Sequence, residues 1–338
     1  MKTYLRPQTI AATLLMAALH LQSFAQSPSS HPLQPLRVNV FPGGFNWGIY
    51  VAQDKGFFHD AGVDVSVQGT TGSVAQMTDF AQGRCDLVMT AFDNIVAYVE
   101  GQGEAPIGPQ PEFVAVMGSD NSFLSLVALP AYKSFDDLRG KTLSVDALTT
   151  GYAFVLFDML RRNGLSRDDY RVDKAGGMTQ RWTALQAGQH VGTMLSAPYD
   201  ILAKAKGMNQ IAWATDVLGA YQGNVAAVRR SWAADHPDAV AGYITAYVKA
   251  IDWLYEPGHK VEAIAILRRN LPQISEELAS QTYQELLDPK TGFFRGGRID
   301  EAGIQTVLEL RSRYAEPKKR LDDARKYLDL QYYQKAMN

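Results

Sequence analysis

Glycine and small hydroxyl residues stand directly before predicted helices at several points of the chain, and aromatic residues stand beside them. The first backbone N–H groups of a helix have no partner inside the helix, so they favour an anion or another hydrogen-bond acceptor. These residue types are therefore suited to binding a small molecule with a flat or apolar body and a polar or anionic end. The segments, each at the end of a predicted strand, are 41–45, 69–73, 90–93, 146–152, 176–179 and 196–199.

Each of these segments also has a simpler interpretation. The motifs that end at Ser73 and Gly151 can be ordinary helix caps, and Trp47, on the apolar face of its helix, is expected in the core. Asp93 can bond a ligand N–H or stabilise a helix N-terminus. Arg181, in the first turn of its helix, can reach an anion or lie in solvent. The residue types alone leave both interpretations open.

Signals for catalysis and for metal binding are weak. Residues 139–142 end like a phosphate-binding loop, but Phe135 stands where that motif requires its first glycine. The six histidines include no pair at metal-ligand spacing, and we expect those of the mature chain at the surface. Cys85 is the single cysteine and is expected to be a small buried hydrophobe. We therefore expect no catalytic residue, no metal and no cofactor.

The composition and the first residues indicate an exported protein. With 338 residues, 46% hydrophobic and 20% charged, the chain is long enough for two folded domains, and no basic stripe suggests nucleic acid. Residues 1–25 combine Lys2 and Arg6 with an apolar stretch and a small-x-small site, which predicts a cleavable signal peptide. A membrane anchor is the alternative, but the apolar stretch is shorter than the ~20 residues that span a bilayer.

The pattern along the chain predicts an α/β protein with two lobes. After a linker over 26–35, strands alternate with helices, which implies mostly parallel sheets flanked by helices. After a last strand near Gly223 only helices follow, so a helical C-terminal tail is expected. The first lobe is predicted over 36–124 and 219–338, and the second, inserted lobe over 125–218. The last four helices are expected near 259–269, 275–287, 299–314 and 321–337.

Five stretches follow one another along most of the mature chain. They are GGFNWGIYVAQDKGFFHDAGVDVSV (43–67), GRCDLVMTAFDNIVAY (83–98), FDDLRGKTLSVD (135–146), ALQAGQHVGTMLSAPYDILAKAKGM (184–208) and KYLDLQYYQKAM (326–337). In order and spacing they resemble the periplasmic solute-binding proteins of ABC importers, in the superfamily that binds alkanesulfonates, taurine, nitrate and thiamine-pyrimidine precursors. The resemblance is to the superfamily and not to a binder of one ligand.

The resemblance implies a two-lobed periplasmic binding protein fold of type II, with the ligand between the lobes. Two crossing segments, near 118–124 and 219–223, would form the hinge. The implied partners are a small-molecule ligand and the permease and ATPase of an ABC importer at the inner membrane, and a periplasmic monomer is expected. The implied ligand contacts are Phe41, Gly43, Gly44, Phe45, Thr71, Gly72, Ser73, Thr90, Phe92, Thr149, Thr150, Gly151, Tyr152 and Ser196.

Residue types add Asp93, Arg181 and Tyr199 to the candidate site. Several aromatics beside Asp93 depart from the sulfonate-binding pattern, so an aromatic or heterocyclic ligand is favoured over a small aliphatic sulfonate or nitrate; an anionic ligand stays open. One alternative is an enzyme like the thiamine-pyrimidine synthases of this superfamily, but those use a reactive histidine and a cysteine-rich iron site, and this chain has one cysteine. A second alternative is an exported ligand-sensing domain.

Overall fold

The computed structural model describes Met1 and residues 32–338, so the predicted signal peptide and most of the predicted linker lie outside the described residues. Residues Leu33–Asn338 form one unit. Within it, ten strands form two sheets of five, with orders β2-β1-β3-β10-β4 and β7-β6-β8-β5-β9. The strands are β1 (Gln34–Val40), β2 (Val63–Gly69), β3 (Leu87–Ala91), β4 (Phe113–Gly118), β5 (Ser125–Ala128), β6 (Thr142–Val145), β7 (Arg171–Lys174), β8 (Gly192–Leu195), β9 (Asn209–Trp213) and β10 (Asn224–Arg229).

Four strands of each sheet run in one direction, and the fifth runs against them. In the first sheet β10 is antiparallel to β3 and β4, and in the second sheet β5 is antiparallel to β8 and β9. These two strands are the ones that enter directly from the other sheet, because β5 follows β4 and β10 follows β9. The prediction of two lobes with mostly parallel sheets is confirmed. We call each sheet with its flanking helices the first lobe and the second lobe.

Helices flank both sheets and form most of the chain after β10. Among the described residues, no helix is long and apolar enough to cross a membrane. The helices are α1 (Trp47–Asp54), α2 (Phe57–Asp60), α3 (Ser73–Ala81), α4 (Phe92–Val99), α5 (Gly151–Arg162), α6 (Met178–Gln186), α7 (Tyr199–Ala205), α8 (Ala214–Leu218), α9 (Arg230–Asp235), α10 (Pro237–Tyr255), α11 (Lys260–Asn270), α12 (Glu276–Leu286), α13 (Glu301–Tyr314) and α14 (Gln331–Met337).

The helical tail packs mainly on the first lobe. Helix α10 lies against α1 and α2, and α13 contacts both α4 of the first lobe and α5 of the second. Trp47 is fully buried and donates its indole N–H to the Ala263 carbonyl oxygen at 3.2 Å, as expected for a core residue. Cys85 is also buried. The tail therefore completes the core of the first lobe and reaches the second.

The last predicted helix, 321–337, is wrong over its first half. Only residues Gln331–Met337 form an α-helix. Leu328 is extended and forms a parallel bridge with Ala115 of β4, and the N–H of Asp329 donates to the Ala115 carbonyl oxygen at 2.9 Å. Because β4 lies at the edge of its sheet, this segment covers backbone groups that would otherwise be unpaired.

The expectation that the mature histidines lie at the surface is wrong for His190. Its ring is buried and its Nε2 lies 2.9 Å from Ser144 Oγ. Burial lowers the pKa of His190 to about 4, so the ring is neutral at pH 7. His190 lies just before β8, which pairs with the strand that carries Ser144. Its ring is therefore buried inside the second lobe. The other described histidines, His59, His236 and His259, are exposed or half-buried.

Candidate functional site

A small cavity of about 40 Å³ lies between the two lobes, where strands of both sheets end. This position agrees with the rule that open α/β sheets bind ligands beyond the carboxyl ends of their strands. Residues from both lobes line it: Phe41, Phe45, Ala91, Asn94, Asp146, Thr150, Gly151, Tyr152, Gly177, Met178, Arg181 and Asn224. The cavity combines aromatic faces with one cation, one carboxylate and two amides.

Six of the predicted site residues lie in the cavity wall. They are Phe41, Phe45, Thr150, Gly151, Tyr152 and Arg181. The remaining predicted residues lie outside the wall in this structure, either behind it or at the direct contacts between the lobes. They are Gly43, Gly44, Thr71, Gly72, Ser73, Thr90, Phe92, Asp93, Thr149, Ser196 and Tyr199.

Two backbone hydrogen bonds join the lobes beside the cavity. The N–H of Gly44 in the first lobe donates to the Ala197 carbonyl oxygen at 3.2 Å, and the N–H of Gly177 in the second lobe donates to the Thr71 carbonyl oxygen at 2.9 Å. A Cβ atom at Gly44 or at Gly177 would lie 2.9 Å from the oxygen that accepts its hydrogen bond. Glycine is therefore needed at both positions for the lobes to meet this closely.

Two helix N-termini were predicted to contact the ligand. In the structure, each of them lies against a carboxylate of the opposite lobe. Asp146, at the end of β6, accepts a 3.0 Å hydrogen bond from the N–H of Ser73 at the start of α3. Asp93 of α4 lies directly against Gly151, the first residue of α5, where a Cβ atom would be 2.4 Å from Asp93 Cγ. Each lobe thus places a negative side chain at a positive helix end of the other.

Asp93 also forms a buried ion pair. Its Oδ2 lies 2.7 Å from Nη1 of Arg311, and both side chains are almost fully buried. Burial raises the pKa of Asp93, although the Arg311 charge opposes that shift. Arg311 also donates to the Gln102 side chain and, at 3.4 Å, to the Thr149 carbonyl oxygen, so it links α13 to the loop before α5.

Arg181 is a buried cation without an acidic partner. Its side chain is 2% exposed and donates to the carbonyl oxygens of Gly176 (3.1 Å) and Met194 (3.2 Å). Within residues 32–338 its Nε has no hydrogen-bond partner, and no carboxylate lies within 4.0 Å of the guanidinium. Burial lowers the pKa of Arg181, and the negative charge of Asp146 opposes this shift.

Two residues of the cavity wall are bonded to a segment that crosses between the lobes, residues 119–124. Tyr152 donates its hydroxyl to Ser122 Oγ at 2.8 Å, and burial raises the pKa of Tyr152. Asn224 donates through its backbone N–H (3.1 Å) and Nδ2 (3.0 Å) to Asp120 Oδ1. Ser122 and Phe123 both have positive φ, at 73° and 49°. The wall of the cavity and the crossing segment are therefore one hydrogen-bonded structure.

Four predicted contact residues lie behind the cavity wall, where they contact other side chains of the protein. Ser196 Oγ donates to Met178 Sδ at 3.2 Å, and the Tyr199 hydroxyl lies 2.9 Å from Thr179 Oγ1. Thr90 Oγ1 accepts from Asn94 Nδ2 at 2.9 Å. Phe92 is fully buried, with its ring edge-on to Tyr327. In this arrangement they support the wall and do not form it.

The candidate contacts left out Asn94, Asn224 and Arg311. Asp146 and Met178 lay inside the candidate segments 146–152 and 176–179 but were not named as contacts. Asn224 is the first residue of β10. Because β10 is antiparallel to its neighbours, its amino end lies at the edge of the sheet where the parallel strands have their carboxyl ends. Arg311 had a readable signal, because it continues the apolar helical spacing of Ile304, Val307 and Leu308. A charged residue on the apolar face of a helix indicates that an oppositely charged residue is buried beside it.

Comparison with protein families gives one match over most of the described chain. The family model described as NMT1/THI5 like matches residues 46–259. A curated relative, the putative binding protein YtlA of Bacillus subtilis (strain 168), is 33% identical over 94 residues. That match covers 28% of this chain and 27% of YtlA, so the chain spans about a quarter of that relative.

Three solved structures show the same fold at low identity. A protein from Bordetella bronchiseptica RB50 has a TM-score of 0.74 at 20% identity, covering 89% of this chain and 96% of its own. The ligand-binding component of an ABC-type import system from Staphylococcus aureus has 0.71 at 12%, covering 90% and 99%. The alkanesulfonate-binding protein SsuA of Xanthomonas axonopodis pv. citri, bound to MOPS, has 0.69 at 13%, covering 88% and 97%.

Proposed function

The chain belongs to the NMT1/THI5-like family, and from this premise we propose that it is the periplasmic substrate-binding component of an ABC importer. It captures a small aromatic or heterocyclic anion between its two lobes and presents the closed form to a membrane permease driven by an ATPase. It binds its solute without converting it. The N-terminal 25 residues direct export and are removed.

The observation that carries the proposal is the buried Arg181 guanidinium in the cavity wall. A buried charge is costly unless it is paired, and within the described residues Arg181 has only backbone carbonyl oxygens as partners. A ligand carboxylate or sulfonate would supply the missing anion through charge-assisted hydrogen bonds. Phe41, Phe45 and Tyr152 add aromatic faces for a flat apolar body.

The size of the cavity implies that the lobes separate to admit this ligand. A volume of about 40 Å³ is far below the ~300–1,000 Å³ of typical small-molecule sites. Opening breaks the bonds from Gly44 to Ala197 and from Gly177 to Thr71, and closure around the ligand reforms the interface. The ligand shifts this equilibrium only if it binds the closed state better than the open state.

The proposal also assigns roles to individual residues of the site. We assign ring contacts to Phe41, Phe45 and Tyr152 and the anion to Arg181. Lobe-to-lobe approach is assigned to the segments around Gly44 and Ser73. The boundaries 36–124 with 219–338 and 125–218 are retained as the proposed lobes.

A ligand screen tests the proposal directly. The mature chain is unfolded, dialysed and refolded to remove bound ligand, then followed by thermal shift with benzenesulfonate, benzoate, MOPS, taurine and nitrate. We expect aromatic or heterocyclic anions to raise the melting temperature, and neutral benzenesulfonamide to do so less. Calorimetry then measures the dissociation constant.

Two outcomes would contradict the proposal. One is a panel in which no organic anion stabilises the refolded protein. The other is chemical conversion of the bound compound, which would favour the synthase-like alternative, so the ligand is recovered after incubation and analysed by mass spectrometry.

A further inference from the structure

A pair of acidic residues lies where the lobes meet, away from the wall of the cavity. Asp200 belongs to α7 of the second lobe, and Glu285 belongs to α12 of the helical tail, which contacts α7. The same interface includes Ala197, which accepts the hydrogen bond from Gly44. The two side chains lie within hydrogen-bonding reach of each other.

Neither carboxyl group has a donor to satisfy its inner oxygen. Asp200 is fully buried, and its Oδ1 accepts from the N–H of Ile201 at 2.9 Å. Within residues 32–338, Asp200 Oδ2 and Glu285 Oε1 are both buried without a hydrogen-bond partner. Two buried acceptors that face each other need a proton between them, because two carboxylates at this distance cannot both stay charged.

Within residues 32–338, neither carboxyl group forms an ion pair that would replace that proton. The charge of Lys204, one turn along α7, lowers the pKa of both groups, but its Nζ lies over the Trp213 ring. Glu277 shares a surface depression with Lys204 and Glu285. Burial raises the pKa of Asp200, and burial with the Asp200 charge raises that of Glu285 to about 9.

The other charged groups beside the pair are acidic. Asp216 and Asp288 line a second depression together with Glu285. Asp288 is engaged with the N–H groups of Lys290 and Thr291, and these bonds lower its pKa. In the described part of the chain no cluster of three or more acidic, His or Cys side chains is placed to hold a metal ion. A proton needs only the two facing oxygens.

We propose that Asp200 and Glu285 form a proton site that exists only when the lobes are closed, so that closure takes up one proton. The inference goes beyond solute capture and rests on the proposed function only through the motion of the lobes. When the lobes part, each carboxyl group meets water and releases the shared proton at neutral pH. Closure is therefore favoured at low pH and loses that advantage as the pH rises through the raised pKa of the pair.

Distance measurements between spin labels test this without a ligand. Exposed Gln68 of the first lobe and Asp168 of the second are replaced by labelled cysteines, while the native Cys85 is buried. We expect the ratio of closed to open molecules to fall by up to about tenfold per pH unit between about pH 6 and about pH 9. In Glu285→Gln, which mimics the protonated state, this slope should disappear. In Glu277→Gln, on the same helix but exposed, it should remain.

The outcomes separate this inference from the proposed function. A closed fraction that is independent of pH in the parent chain, or a slope that survives in Glu285→Gln, overturns the proton site whatever the ligand screen shows. If Glu285→Gln does not fold, Asp200→Asn takes its place. The infrared C=O band of a protonated carboxyl group, followed at about pH 7 in the unlabelled chain, gives a second readout. It should be present in the parent chain and lost in either variant, and its absence from the parent chain also overturns the site.

Discussion

Asp146 of the second lobe accepts a hydrogen bond of 3.0 Å from the backbone N–H of Ser73, at the start of α3 in the first lobe. The protein therefore fills, with its own carboxylate, a helix N-terminus that the sequence had assigned to an anionic ligand. The same carboxylate lines the cavity that contains Arg181. In our proposal Arg181 is therefore the group that selects an anion, and Asp146 is a negative neighbour of the ligand.

Asp146→Asn should increase the preference for an anion. The substitution removes a negative charge from the cavity wall, and unit charges several ångströms apart at an effective dielectric of about 20 interact by roughly 2 kcal/mol. Calorimetry compares benzenesulfonate with neutral benzenesulfonamide, so that any effect on closure cancels in the ratio. We expect the ratio of affinities to rise by about tenfold to thirtyfold. A ratio equal to that of the parent chain would place Asp146 outside the range of the ligand charge.

Arg181→Met should abolish anion binding without destabilising the ligand-free protein. Replacing a buried charge that lacks an ionic partner by an apolar side chain of similar length is neutral or stabilising. We expect the dissociation constant for benzenesulfonate to rise more than tenfold while the urea midpoint of the ligand-free chain stays equal or increases. A structural role would instead lower the midpoint.

Arg311→Met is the matched control for that experiment. Arg311 is as buried as Arg181 but is paired with Asp93 at 2.7 Å. Its removal leaves a buried carboxylate alone and should cost about 3–5 kcal/mol of unfolding free energy. Equal stability losses in the two variants would contradict the distinction between a paired and an unpaired arginine.

The fold was largely predictable because periodicity and turn residues agree along the chain. Alternation of strands and helices predicted two sheets, and the predicted helices near 259–269, 275–287 and 299–314 match α11, α12 and α13 within one or two residues. Spacing could not show that residues 321–330, predicted as the first half of a helix, do not form an α-helix. There Leu328 is held by the unpaired edge of β4, a partner more than 200 residues earlier.

The site was predictable only as a region. Strand ends gave Phe41, Phe45 and Tyr152 because the carboxyl ends of parallel strands share one edge. They could not show that Asp146 and Ser73 meet, since that contact depends on how two separately folded lobes approach each other. Asn224 was missed for a related reason, because it enters the edge from an antiparallel strand.

Gly44→Ala should weaken ligand binding by blocking closure. A Cβ atom there would lie 2.9 Å from the Ala197 carbonyl oxygen of the second lobe, and in our proposal the open state lacks this contact. We expect at least a tenfold rise in the dissociation constant for benzenesulfonate, about 1.4 kcal/mol, with a small change in the ligand-free melting temperature. Gly258→Ala, where no atom lies within 4 Å, should bind as the parent chain does.

Phe45→Ala should remove an aromatic face from the ligand. The ring lines the cavity and is 8% exposed, and losing the contact of one ring costs roughly 1–2 kcal/mol. We expect at least a tenfold weaker affinity for benzenesulfonate by calorimetry, and a smaller loss in Phe45→Leu. An unchanged dissociation constant would remove Phe45 from the site.

An ionic contact also joins the lobes at Asp158 of α5. Its carboxylate is fully buried and accepts hydrogen bonds from four side chains, two of them on α13 of the helical tail. The donors are Arg161, Arg162, Arg313 and Tyr314. Burial alone would raise the pKa of Asp158, but these bonds together lower it to about 2. The stabilisation is present above the ordinary carboxyl pKa and is lost as the pH falls towards 2.

Asp158→Asn should therefore destabilise the protein at neutral pH much more than in acid. A lowering of nearly two pKa units corresponds to about 2 kcal/mol of unfolding free energy at pH 7. Urea unfolding should show that difference at about pH 7 and a clearly smaller one at about pH 3, because the parent chain then loses part of the same stabilisation. Asp136→Asn, at an exposed carboxylate, should change the unfolding free energy little at either pH. A penalty for Asp158→Asn that is the same at both pH values would show that packing and not charge holds α5 to α13.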